Sequence, residues 1–281
     1  MLLAYLFFQI IAYYIFENFT LILFLGGNNM SYIFNLFCDA SIDLPTSMAC
    51  AGCIITMQDR DTGKVLWTEP IIKCSIQRNA TNNSAEILAI FLGISEAVEI
   101  ARFNQDPIFR VFSDSKISLY GLRDWMKNWI VNSSEDGTLR STSGNPVANQ
   151  QTFIQIYNLI IENNLKVEFY HQRGHVTENG RLGSKESRAH FIKTNKVAPE
   201  ALGQIDIDYL NIYNNQVDNI TRDVLYDFIK TGGTNREVRL EMYKESPIKY
   251  FANRDLLPRY ISLINKTSVK SHHNFNGGYT Q

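Results

Sequence analysis

Residues 32–57 read YIFNLFCDASIDLPTSMACAGCIITM, and the reading of this stretch decides the fold class. YIFNLFC (32–38) is a short apolar run, long enough for a buried strand. MACAGCIITM (48–57) is a second. DRDTGK (59–64) carries turn chemistry, and residues 65–76 read as a third strand. Three such runs joined by short polar turns predict an antiparallel meander. Outward from it, TNNS (81–84) is an N-cap cluster, and Ile87, Leu88, Phe91, Ile94 and Val98 recur at helical spacing. PIFRVF (107–112) reads as a fourth strand ending at Ser113-Asp114-Ser115. Residues 116–130 are helical and aromatic-rich, 132–149 form a Ser/Gly/Asn loop, 150–162 form another helix, and KVEFY (166–170) is a fifth strand. Residues 172–208 are polar without a clear period. Residues 214–229 are amphipathic through Val217, Ile220, Val224, Leu225 and Phe228. The pattern weakens beyond Lys230, and no internal repeat is visible. The order β-β-β-α-β-α-α-β-(insert)-α predicts an α/β fold: a mixed five-strand sheet, three strands antiparallel and then parallel crossovers, flanked by helices.

Composition narrows the classes. The 281 residues are 45% hydrophobic and 20% charged, which excludes a mostly disordered or collagen-like chain. Lys and Arg number 27 against 28 Asp and Glu, a net charge of −1. That excludes a uniformly cationic nucleic-acid coat but not a local basic face. Four cysteines in a chain of this length are no disulfide framework. Cys50 and Cys53 form a C-x-x-C, but no second pair or nearby His completes a zinc set. They read as structural thiols of a reducing compartment, and the chain is expected to be cytoplasmic.

Residues 1–29 stand apart. Residues 2–27 are almost wholly apolar, with Glu17 the one charge, and approach the length that spans a bilayer. The segment lacks the positive n-region and small-residue cleavage site of a secretory signal, and flanking Lys or Arg that would orient it. A membrane anchor, a buried extension and a leader from a start assigned too early are the three readings. Met30 immediately precedes the first strand-like run, which favours the last. The expected division is therefore 1–29 as an apolar segment, 30–230 as the α/β domain with an insertion at 176–213, and 231–281 as a basic extension. The stretch from Lys230 to Gln281 holds nine Lys/Arg and four Asp/Glu. It reads either as a supplement to phosphate binding or as a solvated, loosely packed tail.

Three carboxylates fall at the edges of apolar elements. Asp39 follows the first strand, Glu86 lies in the first turn of the first helix, and Asp114 ends the fourth strand. Strand ends at a sheet switch point are where α/β folds collect ligands. Each acid also has a plain reading; a helix N-terminus, for example, favours negative charge such as that of Glu86. Together they suggest a cluster that repels itself unless cations neutralise it. Hard oxygen ligands select Mg²⁺ or Mn²⁺.

The sequence resembles type 1 ribonuclease H, from Tyr32 through His175 and again over residues 214–229. Cys38-Asp39-Ala40-Ser41 is similar to the family's Asp-Gly-Ser motif, with Ala40 in place of Gly. Thr81-Asn82-Asn83-Ser84-Ala85-Glu86-Ile87 resembles its Thr-Asn-Asn-x-x-Glu-Leu, and Ser113-Asp114-Ser115-Lys116 its Thr-Asp-Ser. Trp125-Met126-Lys127-Asn128-Trp129 resembles the Trp-x-x-Asn-Trp of the substrate-gripping handle, and residues 144–149 (GNPVAN) the segment that closes it. Arg173-Gly174-His175 resembles Lys-Gly-His after the last strand. The family's Asn-x-x-x-Asp helix start is matched at residues 214–218, with Asp218 opening the last helix. The rival readings are Glu186 as that fourth acid, or no fourth ligand at all.

The resemblance implies the ribonuclease H-like fold and a substrate in which RNA is paired to DNA. It implies that Asp39, Glu86, Asp114 and Asp218 hold two Mg²⁺ ions, with Mn²⁺ a substitute, that His175 shuttles protons, and that cleavage leaves a 5′ phosphate on the RNA. It also implies substrate contacts from Ser41, Thr81, Asn82, Asn83, Ser115, Lys116, Trp125, Lys127, Trp129 and Asn214. Asn82 and Asn83 equally suit helix capping, and Trp125 and Trp129 equally suit core packing. Arg123, Lys127 and Arg140 are the basic residues between Leu119 and Gln151, fewer than is usual for the family's handle. A DNA nuclease of the transposase or resolvase type and an inactive hybrid-binding module remain alternatives. No obligate protein partner is evident, and a membrane enters only if residues 1–29 are an anchor.

Overall fold

The computed structural model describes residues 31–66, 70–101, 106–174, 183–232, 240–244 and 246–264. The meander forms as expected, from β1 (Tyr32–Asp43), β2 (Met48–Asp59) and β3 (Ile71–Gln77). The third strand is shorter than the sequence suggests: Val65 makes only an isolated bridge to Gln58. Helix α1 (Asn82–Ala101) leads to β4 (Ile108–Ser113). Helices α2 (Lys116–Tyr120) and α3 (Met126–Val131), joined by a π turn over Gly121–Trp125, precede α4 (Gln150–Glu162) and β5 (Lys166–His171). The five expected strands pair in the order β5-β4-β1-β2-β3, with β1 antiparallel to β2 and parallel to β4, and β4 parallel to β5. A sixth strand of three residues, β6 (Leu240–Met242), adds parallel to β3 at the other edge.

Central β1 is buried on both faces over its first eight residues, as its unbroken apolar run requires. Strand alternation assigns the faces. A Cβ built on Gly93 of α1 would meet Leu36, Cys38 and Cys53. Helix α1 therefore covers the face of the even-numbered residues of β1. The opposite face carries an aromatic row through register partners: Phe37 stacks on Phe112 at 5.0 Å between ring centroids, and Phe112 on Tyr170 at 5.4 Å.

That row is covered at both ends by elements from the stretch after β5. Helix α5 (Gly183–Asn195) brings Phe191 onto Tyr170, and α6 (Ile207–Thr231) brings Tyr213 onto Phe37. The sequence expectation placed Asp218 at the opening of the last helix. The helix begins three turns earlier, because Asp206 caps it, its side chain accepting the Tyr209 amide at 2.7 Å. The four described cysteines are free and buried.

Residues 246–264 are an integral part of the packing, not a loosely held tail. Tyr260, on α7 (Leu257–Leu263), is fully buried and donates its hydroxyl to Leu122 O at 2.8 Å. Arg254 donates to Val131 O at 2.8 Å, satisfying the carbonyl end of α3. Among the described residues no helix is long and apolar enough to cross a membrane. The apolar segment 1–29 lies outside the described residues.

Candidate active site

Three acids meet where β1, β4 and the head of α1 converge. One carboxylate oxygen from each of Asp39, Glu86 and Asp114 lies within 4.8 Å of the others. Asp39 is held by its place in β1, opposite Gly52 of β2. Asp114 is the first residue beyond β4. Glu86 is the fifth residue of α1, one position past the first turn where the sequence had placed it. Thr81 and Ser84 cap that helix reciprocally: Thr81 Oγ1 accepts the Ser84 amide at 3.1 Å, and Ser84 Oγ accepts the Thr81 amide at 2.8 Å. Capping therefore falls to Thr81 and leaves Asn82 and Asn83 exposed at the cleft.

The electrostatics are those of a crowded anionic site. Burial, then the charges of Asp114 and Asp218, push the Asp39 carboxyl up to about 8, against a hydrogen bond from the Ala40 amide that lowers it. Burial, then Asp39, Asp114 and Asp218, push Glu86 well above the usual carboxylate range. Glu86 Oε2 is buried without a hydrogen-bond partner, and the backbone presses in close, since a Cβ on Gly174 would collide with Asp114 Oδ2. An orphaned oxygen beside two further carboxylates fits a hard divalent cation, which supplies the missing positive charge and accepts oxygen ligands.

Asp218 joins from α6. It lines the same cleft of about 720 Å³ as Asp39, Glu86 and Asp114, together with Ser41, Asn82, Asn83, Ser115 and Lys116. Its placement depends on close approach of α6 to the sheet. A Cβ at Gly52 would collide with Thr221 Cγ2, and Ser41 Oγ lies 3.1 Å from Thr221 Oγ1. Glu186, the rival fourth acid, is instead an exposed residue of α5 in a 3.2 Å ion pair with Arg173. Ala40, where the resembled motif has Gly, packs against a small apolar cluster of Ala49, Ala80 and Ala85.

The remaining expected residues divide. Trp129 is buried and packs edge-on against Phe153 at 5.1 Å, whereas Trp125 is exposed. Lys127 is exposed on α3. Trp129 and Asn83 line a smaller pocket with Val147, Ala148 and Asn149. Asn214, expected to touch substrate, is buried inside α6 and does not reach the cleft. His175 lies outside the described residues.

The sequence reading missed His171. Burial lowers its imidazole to about 4, helped by His190, Lys116 and Arg123 and opposed by a hydrogen bond to the Asp114 backbone. It ends an apolar strand run two residues before the Arg173 that opens the quoted Arg-Gly-His motif, and that position was the available signal. Arg222, 3.3 Å from Asp218 on the same helix, was also missed. The i, i+4 spacing announced that pair.

No curated protein matches the chain. Among solved structures, the RNase H1 of the halophilic archaeon Halobacterium salinarum NRC-1 is 15% identical, with 59% of this chain and 98% of that one covered and a TM-score of 0.31. LC9-RNase H1, a type 1 RNase H with the type 2 active-site motif, is 14% identical over 77% of this chain and 90% of that one, at a TM-score of 0.41. LC11-RNase H1 in complex with RNA/DNA hybrid is 14% identical over 59% and 99%, at 0.33. The RNase H family model matches residues 32–186. That span is more than half of the chain and contains Asp39, Glu86 and Asp114, so the chain belongs to the RNase H family.

Proposed function

We propose that the chain is a type 1 ribonuclease H, a metal-dependent endonuclease hydrolysing the RNA strand of RNA–DNA hybrids. The observation that carries this reading is the carboxylate cluster of Asp39, Glu86 and Asp114 within 4.8 Å, open to a cleft rimmed by exposed Asn82, Asn83 and Lys116. Asp39, Glu86, Asp114 and Asp218 would hold two Mg²⁺ ions, with Mn²⁺ a substitute; when bound, such ions activate water and stabilise a leaving 3′ oxygen, so the RNA keeps a 5′ phosphate. Glu86 and Asp39 are prepared for this by burial, which denies their charge any solvent compensation. Asn82 and Asn83 carry amides that donate and accept, suited to minor-groove edges and to the 2′-hydroxyl that separates RNA from DNA. Lys116 would contact the same groove, with Ser115 lining the cleft beside it. Trp125 and Lys127 form the exposed part of a handle for the DNA strand, and buried Trp129 supports it. His175, by the resemblance, would move a proton at the leaving group.

The full chain and its Asp114→Asn variant, incubated with labelled hybrid and Mg²⁺ or Mn²⁺, test the reading. Single-stranded RNA, duplex RNA and duplex DNA serve as controls. Metal-dependent cutting of the hybrid's RNA, reduced at least ~100-fold in the variant, is expected. Tight hybrid binding without cutting would replace the enzyme by a binding module, and cutting of duplex DNA would replace it by a DNA nuclease.

A further inference from the structure

Helix α5 lies in the stretch inserted between the fifth strand and the last helix, and it makes a specific connection to the acid cluster. His171, at the end of β5, is 4% exposed. Its Nε2 lies 2.9 Å from the backbone oxygen of Asp114, and His190 Nε2 lies 2.9 Å from His171 Nδ1. A carbonyl oxygen only accepts, so His171 Nε2 carries the hydrogen. In the neutral ring Nδ1 is then an acceptor, and His190 Nε2 must donate to it. His171 thus donates to Asp114, and His190 Nε2 meets the far nitrogen of the same ring, with Thr194 Oγ1 also 3.4 Å from His190 Nε2. The sheet ladder stops one step short of this point, at the bond from the Gln172 amide to Ser113 O at 2.9 Å. The imidazole of His171 continues it by one residue.

We propose that His190 is a positioning residue for the metal-binding carboxylates, acting through His171 on the backbone of Asp114. The inference rests on the reading of Asp114 as a metal ligand. Helix α5 is anchored for this task. Asn195 grips the outer edge of β5 as a strand would, its Oδ1 accepting the His171 amide at 2.9 Å and its Nδ2 donating to His171 O at 2.8 Å. Phe191, one residue after His190, is fully buried against Tyr170. The His190 ring thus stands on a helix anchored at the next residue, Phe191, and again at Asn195. Asp114 is the half-buried acid of the three and lies just past the end of β4, where the His171 imidazole meets its backbone oxygen.

The test uses the full chain with His190→Gln, His190→Asn and His190→Leu. Glutamine carries a donor at the reach of Nε2; asparagine falls one methylene short; leucine has none. The binding readout is the dissociation constant for Mn²⁺ alone, by electron paramagnetic resonance, with no nucleic acid present. The expected result is Mn²⁺ affinity weakened about tenfold in the leucine and asparagine variants and restored by glutamine. In the cleavage assay the same variants should lose kcat and require more Mg²⁺, with KM for the hybrid unchanged. Equal Mn²⁺ affinity in all four proteins, with only the melting temperature changed, would reduce His190 to a packing role and overturn the proposal. If leucine prevents folding, the glutamine–asparagine difference decides alone. Wild-type protein that binds Mn²⁺ but leaves hybrids uncut would sink the proposed activity and leave the His190 comparison intact.

Discussion

Two sets of buried carboxylates in one sheet have opposite surroundings. Glu168 of β5 and Asp39 of β1 are 7% and 6% exposed, so burial does not distinguish them. Glu168 accepts from Arg110 Nε at 2.9 Å and from the Tyr170 hydroxyl at 2.9 Å. Arg110 in turn donates to Gln58 and to Leu202 O. Every charge there is answered from within the chain. Asp39 faces Glu86 and Asp114 instead, and Glu86 Oε2 has no hydrogen-bond partner. A chain removes unpaired charge from its interior wherever stability alone decides. The uncompensated cluster is therefore the place where, on the proposed function, a divalent cation would complete the structure, and the compensated pair marks architecture.

Turning the first kind of site into the second kind of problem gives the largest expected effect. Arg110→Ala leaves Glu168 buried with the Tyr170 hydroxyl but no countercharge. It should destabilise the fold by about 3–5 kcal/mol, read as a lower urea midpoint. It also releases Leu202 O, which Gln58 Nε2 still meets at 2.7 Å. The double variant Arg110→Met, Glu168→Leu should recover most of the loss, because no unpaired charge remains. A single variant as stable as the double would show that the pairing is not what holds Glu168.

The acid cluster should behave in the reverse sense, with a smaller effect. The Asp39 carboxyl sits near 8 in the folded chain against an ordinary 3.8. Between those values the native state holds more protons than the unfolded chain, so stability falls as pH rises through that window. Metal-free protein should lose at least ~2 kcal/mol between pH 5 and pH 8, at ~1.4 kcal/mol per pKa unit. Glu86 shifts in the same direction. Asp39→Asn should flatten the dependence, and so should saturating Mg²⁺. Urea titrations in chelator at several pH values check this; midpoints that do not move with pH would mean that the cluster is not strained by its own charge.

The sequence exposed the cluster and concealed much of its support, for physical reasons. Asp114 was legible because it ends an apolar strand, Glu86 because it opens an apolar helix, and Asp39 because it closes the apolar run 32–38, although the strand does not end there: β1 continues past it to Asp43. Strand ends are fixed once the strand is found. Helix α5 was not legible: of its residues that face inward, Phe191 and Ser187 are the buried ones, too few to make a 3.6-residue period. The start of α6 was missed because residues 207–213 mix Ile, Asp and Asn with two tyrosines, and their hydrophobic contacts come from Phe37 far away in sequence. Strand β6 has three residues, below the length at which alternation can be recognised. The buried Asn214 shows the same limit: a motif can be matched while the helix that carries it turns the side chain inward.

The smallest effect tests how Asp218 belongs to the comparison, since it stands between the two kinds of carboxylate. Its side chain is 26% exposed, and it pairs with Arg222 of the same helix at 3.3 Å. An exposed i, i+4 pair contributes little, so Arg222→Ala should change stability by less than ~0.5 kcal/mol. Its effect on metal should be larger than its effect on folding. The guanidinium offsets part of the negative charge that attracts a cation, and removing it leaves the cleft more anionic. The Mg²⁺ concentration for half-maximal cleavage should then fall about twofold to threefold at low salt, and less at high salt where screening replaces the guanidinium. Asp218→Asn should move it the other way. If neither variant shifts the Mg²⁺ requirement, Asp218 lies outside the cation site. It would then belong with Glu168, as a carboxylate whose charge is answered by its own chain.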